Sequence, residues 1–461
     1  MADNSGKAVG GKVDMLSGPL LRKLVWFSVP LIASGILQQS FNSCDVAVVG
    51  RWCNPQSLAA VGSNGMIISL IVGLCMGVSV GANVVIAHHI GSKDLRSARA
   101  AVSTTMLLSL VLGVVLIAVG VSVARPLLEA ISTPDDVIDL ATVYLRIYFL
   151  GMPFMLVYNF GSAVLRSVGD TKRPFYCLVA GGCVNVCLNL VLVICFDMGV
   201  AGVAIATVAS NVVASVLLVR ILAREQDPVR VDFRRLSFNR QEFGKICRIG
   251  LPAGIQSMVF PLSNVFIVSG INTFGSAGSA GSAAALNYEY YCYFVIAAFA
   301  SAAVAFTGQN YGAGKAARCS RVFLLCMTMA AVGCAALNLG IAWQKDFFIR
   351  IFTVDPDVIG FARIRIEYVL AFQFIASSYE VAGACMRGLG YSMTPTVITI
   401  VGTCLVRIGW VYMFHHTGLI SGLEGLLTVY PVTWVLTGAA VLIAYFRIRR
   451  KAYAKIERPT A

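Results

Sequence analysis

Long apolar stretches alternate with short polar breaks along the 461-residue chain, and their lengths indicate the fold class. A straight helical crossing of a bilayer's hydrocarbon core takes about 20 apolar residues. Runs of that size or longer, bounded by charge or by Gly and Pro, fall at 24–50, 57–87, 100–124, 137–165, 175–196, 199–222, 247–271, 282–310, 320–344, 358–386, 394–415 and 422–446. The pattern predicts an all-α polytopic membrane protein with twelve transmembrane helices. Several runs are longer than one crossing needs, so tilted helices that continue beyond the bilayer are expected. The longest polar stretch follows the sixth run and divides the chain nearly in half. The expected layout is a cytoplasmic tail over 1–23, an N-lobe over 24–222, a cytoplasmic linker over 223–246, a C-lobe over 247–446 and a basic cytoplasmic tail over 447–461.

The halves repeat. Pro30 and Asn42 recur as Pro252 and Asn264 at an offset of 222. His88-His89-Ile90-Gly91-Ser92-Lys93 aligns with Gln309-Asn310-Tyr311-Gly312-Ala313-Gly314 at 221. Arg166-Ser167-Val168-Gly169 with Pro174 recurs as Arg387-Gly388-Leu389-Gly390 with Pro395, again at 221. Internal duplication is a signature of secondary transporters, whose substrate path lies between or within the repeated lobes. Each repeat holds six spans, so both lobes enter the membrane in the same orientation, and a pseudo-two-fold axis is expected along the membrane normal.

Composition supports this reading. Apolar residues make up 58% of the chain and charged ones 13%, with mean hydropathy +0.79. Soluble domains run at about 45–50% and about 25%, so an ordinary soluble fold is excluded. The net charge of +14 does not imply nucleic acid, because 28 of the 36 Lys and Arg residues fall in the segments assigned to one side of the membrane. That bias is the ordinary topology signal of cytoplasmic loops and places both termini inside. The first twenty residues lack the apolar core of a signal peptide. The Arg cluster of the linker could meet anionic lipid headgroups, although a basic cytoplasmic loop is the commoner reading of such a cluster. Most of the fourteen cysteines lie in apolar runs as small hydrophobes. Cys183 and Cys187 share a helix face, but no His or acid lies near enough in sequence to complete a metal site.

Charge inside the spans is scarce and therefore informative. Asp45, Glu289 and Glu380 lie deep in spans one, eight and ten, whereas Glu367 is grouped with Arg363 and Arg365 near the outer surface. A carboxylate within a span costs roughly 2.5–3.5 kcal/mol on insertion scales, so it usually faces an aqueous cavity and serves ions or protons. Asn185 and Asn189 are one turn apart on span five, and Thr207 and Asn159 add polar groups on spans six and four. With Asp45 these form either a chamber for a proton or a hard cation such as Na+, or a set of interhelical hydrogen bonds. Glu289 sits in Asn287-Tyr288-Glu289-Tyr290-Tyr291-Cys292-Tyr293-Phe294. That sequence suits a flat lipophilic cation through stacking and charge pairing, or an aromatic belt at the interface. Glu380, with Tyr379 beside it, could line the same cavity. Pro30 provides a possible bend in the first span, or a static kink. GxxxxGK[ST] and HExxH are absent, so no ATPase or metalloprotease machinery is visible, and no enzyme is expected.

Taken together, the twelve spans, the duplication and four motifs resemble the multidrug and toxic compound extrusion (MATE) family along essentially the whole chain. The motifs are Thr307-Gly308-Gln309-Asn310-Tyr311-Gly312-Ala313-Gly314-Lys315, Asp45-Val46-Ala47-Val48-Val49-Gly50, Arg166-Ser167-Val168-Gly169-Asp170-Thr171 and Gly199-Val200-Ala201-Gly202-Val203-Ala204-Ile205-Ala206-Thr207. The resemblance implies an inner-membrane antiporter that exports cationic or amphiphilic compounds by alternating access in exchange for H+ or Na+, with no other cofactor. It implies that Asp45 is a coupling carboxylate, that Pro30 lets its helix bend, and that Glu289 and Glu380 lie near a C-lobe cavity. In the family an Asn and an Asp often stand one turn apart on span five; here they are Asn185 and Asn189, so the lobe's second acid is missing. The expected ion-coupling set is Asp45, Asn159, Asn185, Asn189, Thr207, Glu289 and Glu380; Tyr288, Tyr291 and Tyr379 join Glu289 and Glu380 for substrate. The expected partners are small cationic or amphiphilic molecules and membrane lipids, with the chain a monomer. The alternative is a flippase of a lipid-linked precursor, for which several Arg or Lys inside the spans would be expected; embedded acids are expected to dominate instead, with Arg407 an exception.

Overall fold

The structure, a computed structural model, describes residues 12–131, 133–226, 228–417 and 420–457, and among these every regular element is helical. In the first half these are α1 (Leu20–Trp52), α2 (Pro55–Gly91), α3 (Leu95–Ala130), α4 (Asp135–Leu150), α5 (Met152–Ser167), α6 (Lys172–Asn189) and α7 (Gly199–Ala223). The second half holds α8 (Arg240–Asn272), α9 (Gly275–Gly312), α10 (Ala316–Trp343), α11 (Lys345–Arg350), α12 (Pro356–Tyr368), α13 (Ser377–Gly388), α14 (Met393–Thr399), α15 (Val406–His416), α16 (Gly422–Leu427) and α17 (Val429–Glu457).

Ten of these segments are long and apolar enough to cross a membrane, and α4 with α5, bent by 48°, makes an eleventh. The run predicted over 358–386 is the most interrupted: α12, a 3-10 turn at Leu370–Ala376, then α13. Its counterpart is the bent pair, because α4 to α5 covers 135–167 and α12 to α13 covers 356–388, 221 residues later. In the first half the break falls at Gly151, with Pro153 at the second position of α5, where its missing N–H costs nothing. In the second half a tightened turn serves instead. Gly169 and Gly390, also 221 apart, both turn the chain at φ near +90° (+88° and +90°), so the repeat extends to backbone conformation.

The chain forms two compact units, Met1–Asp14 with Ala33–Gly250, and Met15–Ile32 with Leu251–Ala461. Each therefore takes most of one lobe and the opening turns of the other lobe's first long helix. The changes of unit at 32/33 and 250/251 fall within two residues of Pro30 and Pro252. The linker expected over 223–246 is shorter than its polarity suggests, since from Arg240 it is already α8. Glu242 is buried there, bonded to His89 of α2 at 2.8 Å and to Lys245 at 2.8 Å. A polar helix start that packs against a neighbour cannot be told from a loop by composition.

Candidate functional site

In the first unit, α1 carries Asp45 against the last turn of α6. Asn189, fully buried, donates its amide to the Asp45 carboxylate and to Asn185 Oδ1 at 3.3 Å. Asn185 Nδ2 reaches Thr207 Oγ1 of α7 at 3.4 Å, and that hydroxyl donates to the Val203 carbonyl at 3.0 Å. The result is a short line of neutral polar groups leading to one partly exposed carboxylate. Among the described residues Asp45 has no ion pair. Asn189 Oδ1 is buried and accepts nothing, leaving a free oxygen beside the acid.

Local sequence explains the approach. Phe41 and Asp45 are one turn apart on α1, as are Asn185 and Asn189 on α6, so each pair shares a face. Gly182 stands one turn before Asn185, and a Cβ there would lie 1.7 Å from Phe41 Cε2. Only a glycine lets the helices meet this closely. Directly after Asn189, α6 becomes a π segment, Leu190–Cys195, the kind of irregular turn often found at functional sites. A carboxylate with carbonyl and hydroxyl oxygens nearby fits a proton or a hard monovalent cation. No group of three His, Cys, Asp or Glu residues able to hold a metal occurs among the described residues. Asn159 is not joined to this line, because its amide returns to the Met155 carbonyl of its own helix at 2.9 Å. Tyr144 and Tyr148, stacked 6.3 Å apart on α4, lie within reach of the Asp45 charge. Their four-residue spacing was the available sequence signal for them.

The second unit is built differently. Glu289 of α9 is held by Arg365 of α12 through a two-pronged bond, Nε to Oε1 at 2.6 Å and Nη2 to Oε2 at 3.0 Å. Arg365 Nη1 also donates to Ser282 Oγ at 2.6 Å, and Gln373 caps the Glu289 carbonyl at 2.9 Å. Both charged side chains are buried. Arg365 therefore does not belong to the outer surface where its neighbours Arg363 and Glu367 are exposed; its spacing turns it inward. Arg407 is also buried, donating to Asn264 Oδ1 at 3.0 Å with its guanidinium 4.4 Å from the Tyr430 ring centre and, among the described residues, no carboxylate partner. Embedded acids thus do not dominate this unit, contrary to expectation.

The other second-unit candidates separate. Glu380 accepts from Tyr293 Oη at 3.1 Å, a residue missed in the sequence although it lies in the aromatic stretch. Tyr379 is buried beside it. Tyr288 turns away from Glu289, donating to the Phe348 carbonyl at 2.9 Å and meeting the Phe348 and Phe352 rings edge-on. Tyr291 packs edge-on against Phe294 at 6.4 Å.

Comparison with known proteins fits a chain of two repeated halves. The MatE family model matches residues 30–191 and again 252–413, two equal stretches 222 residues apart. The chain belongs to the MatE family, and it is a multi-pass membrane protein. It is 26% identical over 423 residues to the probable multidrug resistance protein YoeA of Bacillus subtilis, covering 90% of this chain and 91% of that one. It is 24% identical over 435 residues to an FAD transporter of Shewanella oneidensis, covering 92% and 94%. Among solved structures, an outward-facing multidrug resistance MATE transporter matches with a TM-score of 0.87 at 25% identity, covering 98% of this chain and 100% of that one.

Proposed function

We propose that the chain is a secondary multidrug antiporter that exports cationic or amphiphilic compounds against inward H+ or Na+, with Asp45 as the coupling group. The observation that carries this reading is a carboxylate inside a span that has an amide donor and a free amide oxygen beside it and, among the described residues, no ion-pair partner. An arginine partner would hold the charge permanently; neutral amides leave it able to bind and release an ion. The relatives named for multidrug resistance support the substrate class. The cycle is alternating access: ion binding at Asp45 in the outward-open state favours return, and drug and ion compete through opposite conformational preferences. Glu380, hydrogen-bonded to Tyr293 and within electrostatic range of Arg387, is a second ion or substrate carboxylate. Glu289 is one half of a fixed pair. Pro30, where the chain passes between units, is the bend in α1.

A second reading rests on Arg407, a buried cation with no acid paired to it among the described residues. It favours substrates that carry an anionic group, as a precursor flippase or the flavin-nucleotide relative would take. One experiment separates them: uptake of a fluorescent cationic dye into inverted vesicles under separate proton and sodium gradients, against uptake of a flavin nucleotide. Dye uptake driven by one gradient and abolished by Asp45→Asn, with insertion intact, is the expected result. Unchanged transport in Asp45→Asn sinks the coupling role.

A further inference from the structure

Where α6 begins and α7 ends, the first unit holds a cavity of about 490 Å³ between the two helices. Its walls are mostly apolar, from Tyr176, Leu217 and Ile221, and three arginines, Arg173, Arg220 and Arg224, stand around it. Arg173 is neutralised by Asp170 and Glu225, and Lys12 shares Glu225. Arg220, in the last turn of α7, and Arg224, at its C-cap four residues on, are exposed and without any side-chain hydrogen bond or ion pair among the described residues. Two of the three arginines around the cavity are therefore without a bonded counter-charge among the described residues. Tyr176, 62% exposed, carries a ring suited to the boundary between hydrocarbon and headgroups.

We propose that this cavity holds an anionic phospholipid, with the headgroup phosphate on Arg220 and Arg224 and the start of an acyl chain over Leu217, Ile221 and Tyr176. The arrangement pairs an apolar slot open towards the span with positive charge at the span's end, where a membrane presents a chain below and a phosphate above. A basic pocket between transmembrane helices is a recognised form of headgroup site, and a volume of this size lies within the range of small-ligand sites. A soluble anion would gain nothing from the apolar walls. The inference does not depend on the coupling ion or on the exported substrate.

The test is native mass spectrometry of the full chain in detergent with phosphatidylglycerol and phosphatidylcholine in competition. Two arginines near a headgroup predict a preference for phosphatidylglycerol of about thirtyfold. The preference should vanish in Arg220→Gln/Arg224→Gln, persist in Arg220→Lys/Arg224→Lys, and be unaffected by Arg234→Gln/Arg235→Gln, which removes the same charge from the loop. Leu217→Trp, which fills the slot without altering charge, should lower retention of the lipid at least tenfold. Equal retention of the two lipids by the unaltered chain overturns the proposal. So does an equal loss in the loop variant, which would indicate a general basic field, or ready displacement of the lipid by inorganic phosphate alone.

Discussion

Asp45 and Glu289 are both carboxylates inside apolar spans, yet their surroundings are opposite. Asp45 meets amides and a buried oxygen that accepts nothing, whereas Glu289 meets a guanidinium in two-pronged geometry, a serine on the same arginine, and a glutamine on its own carbonyl. A buried ion pair is not strongly stabilising in itself, but removing one partner leaves the other charge stranded. An acid among neutral donors can lose its charge without stranding anything. One unit thus holds an acid among neutral partners, and the other holds an acid tied to a fixed counter-charge.

The sharpest test of that contrast is stability. Glu289→Gln strands Arg365 and should cost about 3–5 kcal/mol, read as a fall in melting temperature of the detergent-solubilised protein. Asp45→Asn should cost less than about 1 kcal/mol in the same assay while abolishing transport. Adding Arg365→Gln to Glu289→Gln should recover most of the loss, because no buried charge then remains. If the two single variants melt alike, the contrast is broken.

A smaller effect is expected at Gly182, which allows Phe41 of α1 to lie against α6. Gly182→Ala should destabilise by about 1–3 kcal/mol through overpacking and reduce ion-driven dye uptake more than tenfold by separating Asp45 from Asn189. Full uptake in a folded Gly182→Ala protein would show that this close approach is not needed for coupling.

The smallest effect sets a membrane-surface pair against the buried one. Burial pushes the Glu225 carboxyl up, but bonds from Lys12 and Arg173 outweigh it and hold the group below its ordinary value. A depressed value in the folded state contributes stability above the unfolded carboxyl's pKa of about 4.3 and loses it as pH falls through the folded value. Glu225→Gln should therefore melt lower at pH 7 by no more than about 1 kcal/mol, with the deficit shrinking below pH ~4. A deficit that persists in acid would mean that packing, not charge, holds Glu225.

Much of this was legible along the chain. The spans follow from runs of apolar residues, the duplication from a constant offset, and the Asn185, Asn189 pair from a single helical turn. All are local or periodic properties, which survive in one dimension. Asp45 stood out because any acid in so apolar a segment is conspicuous. The packed start of α8 was not legible, since Glu242 looks like a loop residue until His89 of the neighbouring helix covers it.

The sequence by itself determined the fold class, the repeat and the short set of polar residues inside the spans. Tertiary structure decided which of them are neutralised. Glu289 and Arg365 are 76 residues apart, Tyr293 and Glu380 are 87 apart, and Asn189 and Asp45 are 144 apart. No periodicity links positions that far apart. Whether an acid meets a guanidinium, a phenol or an amide depends on how two helices are turned against each other. A rotation of one residue, about 100°, would turn the partner away from the facing helix.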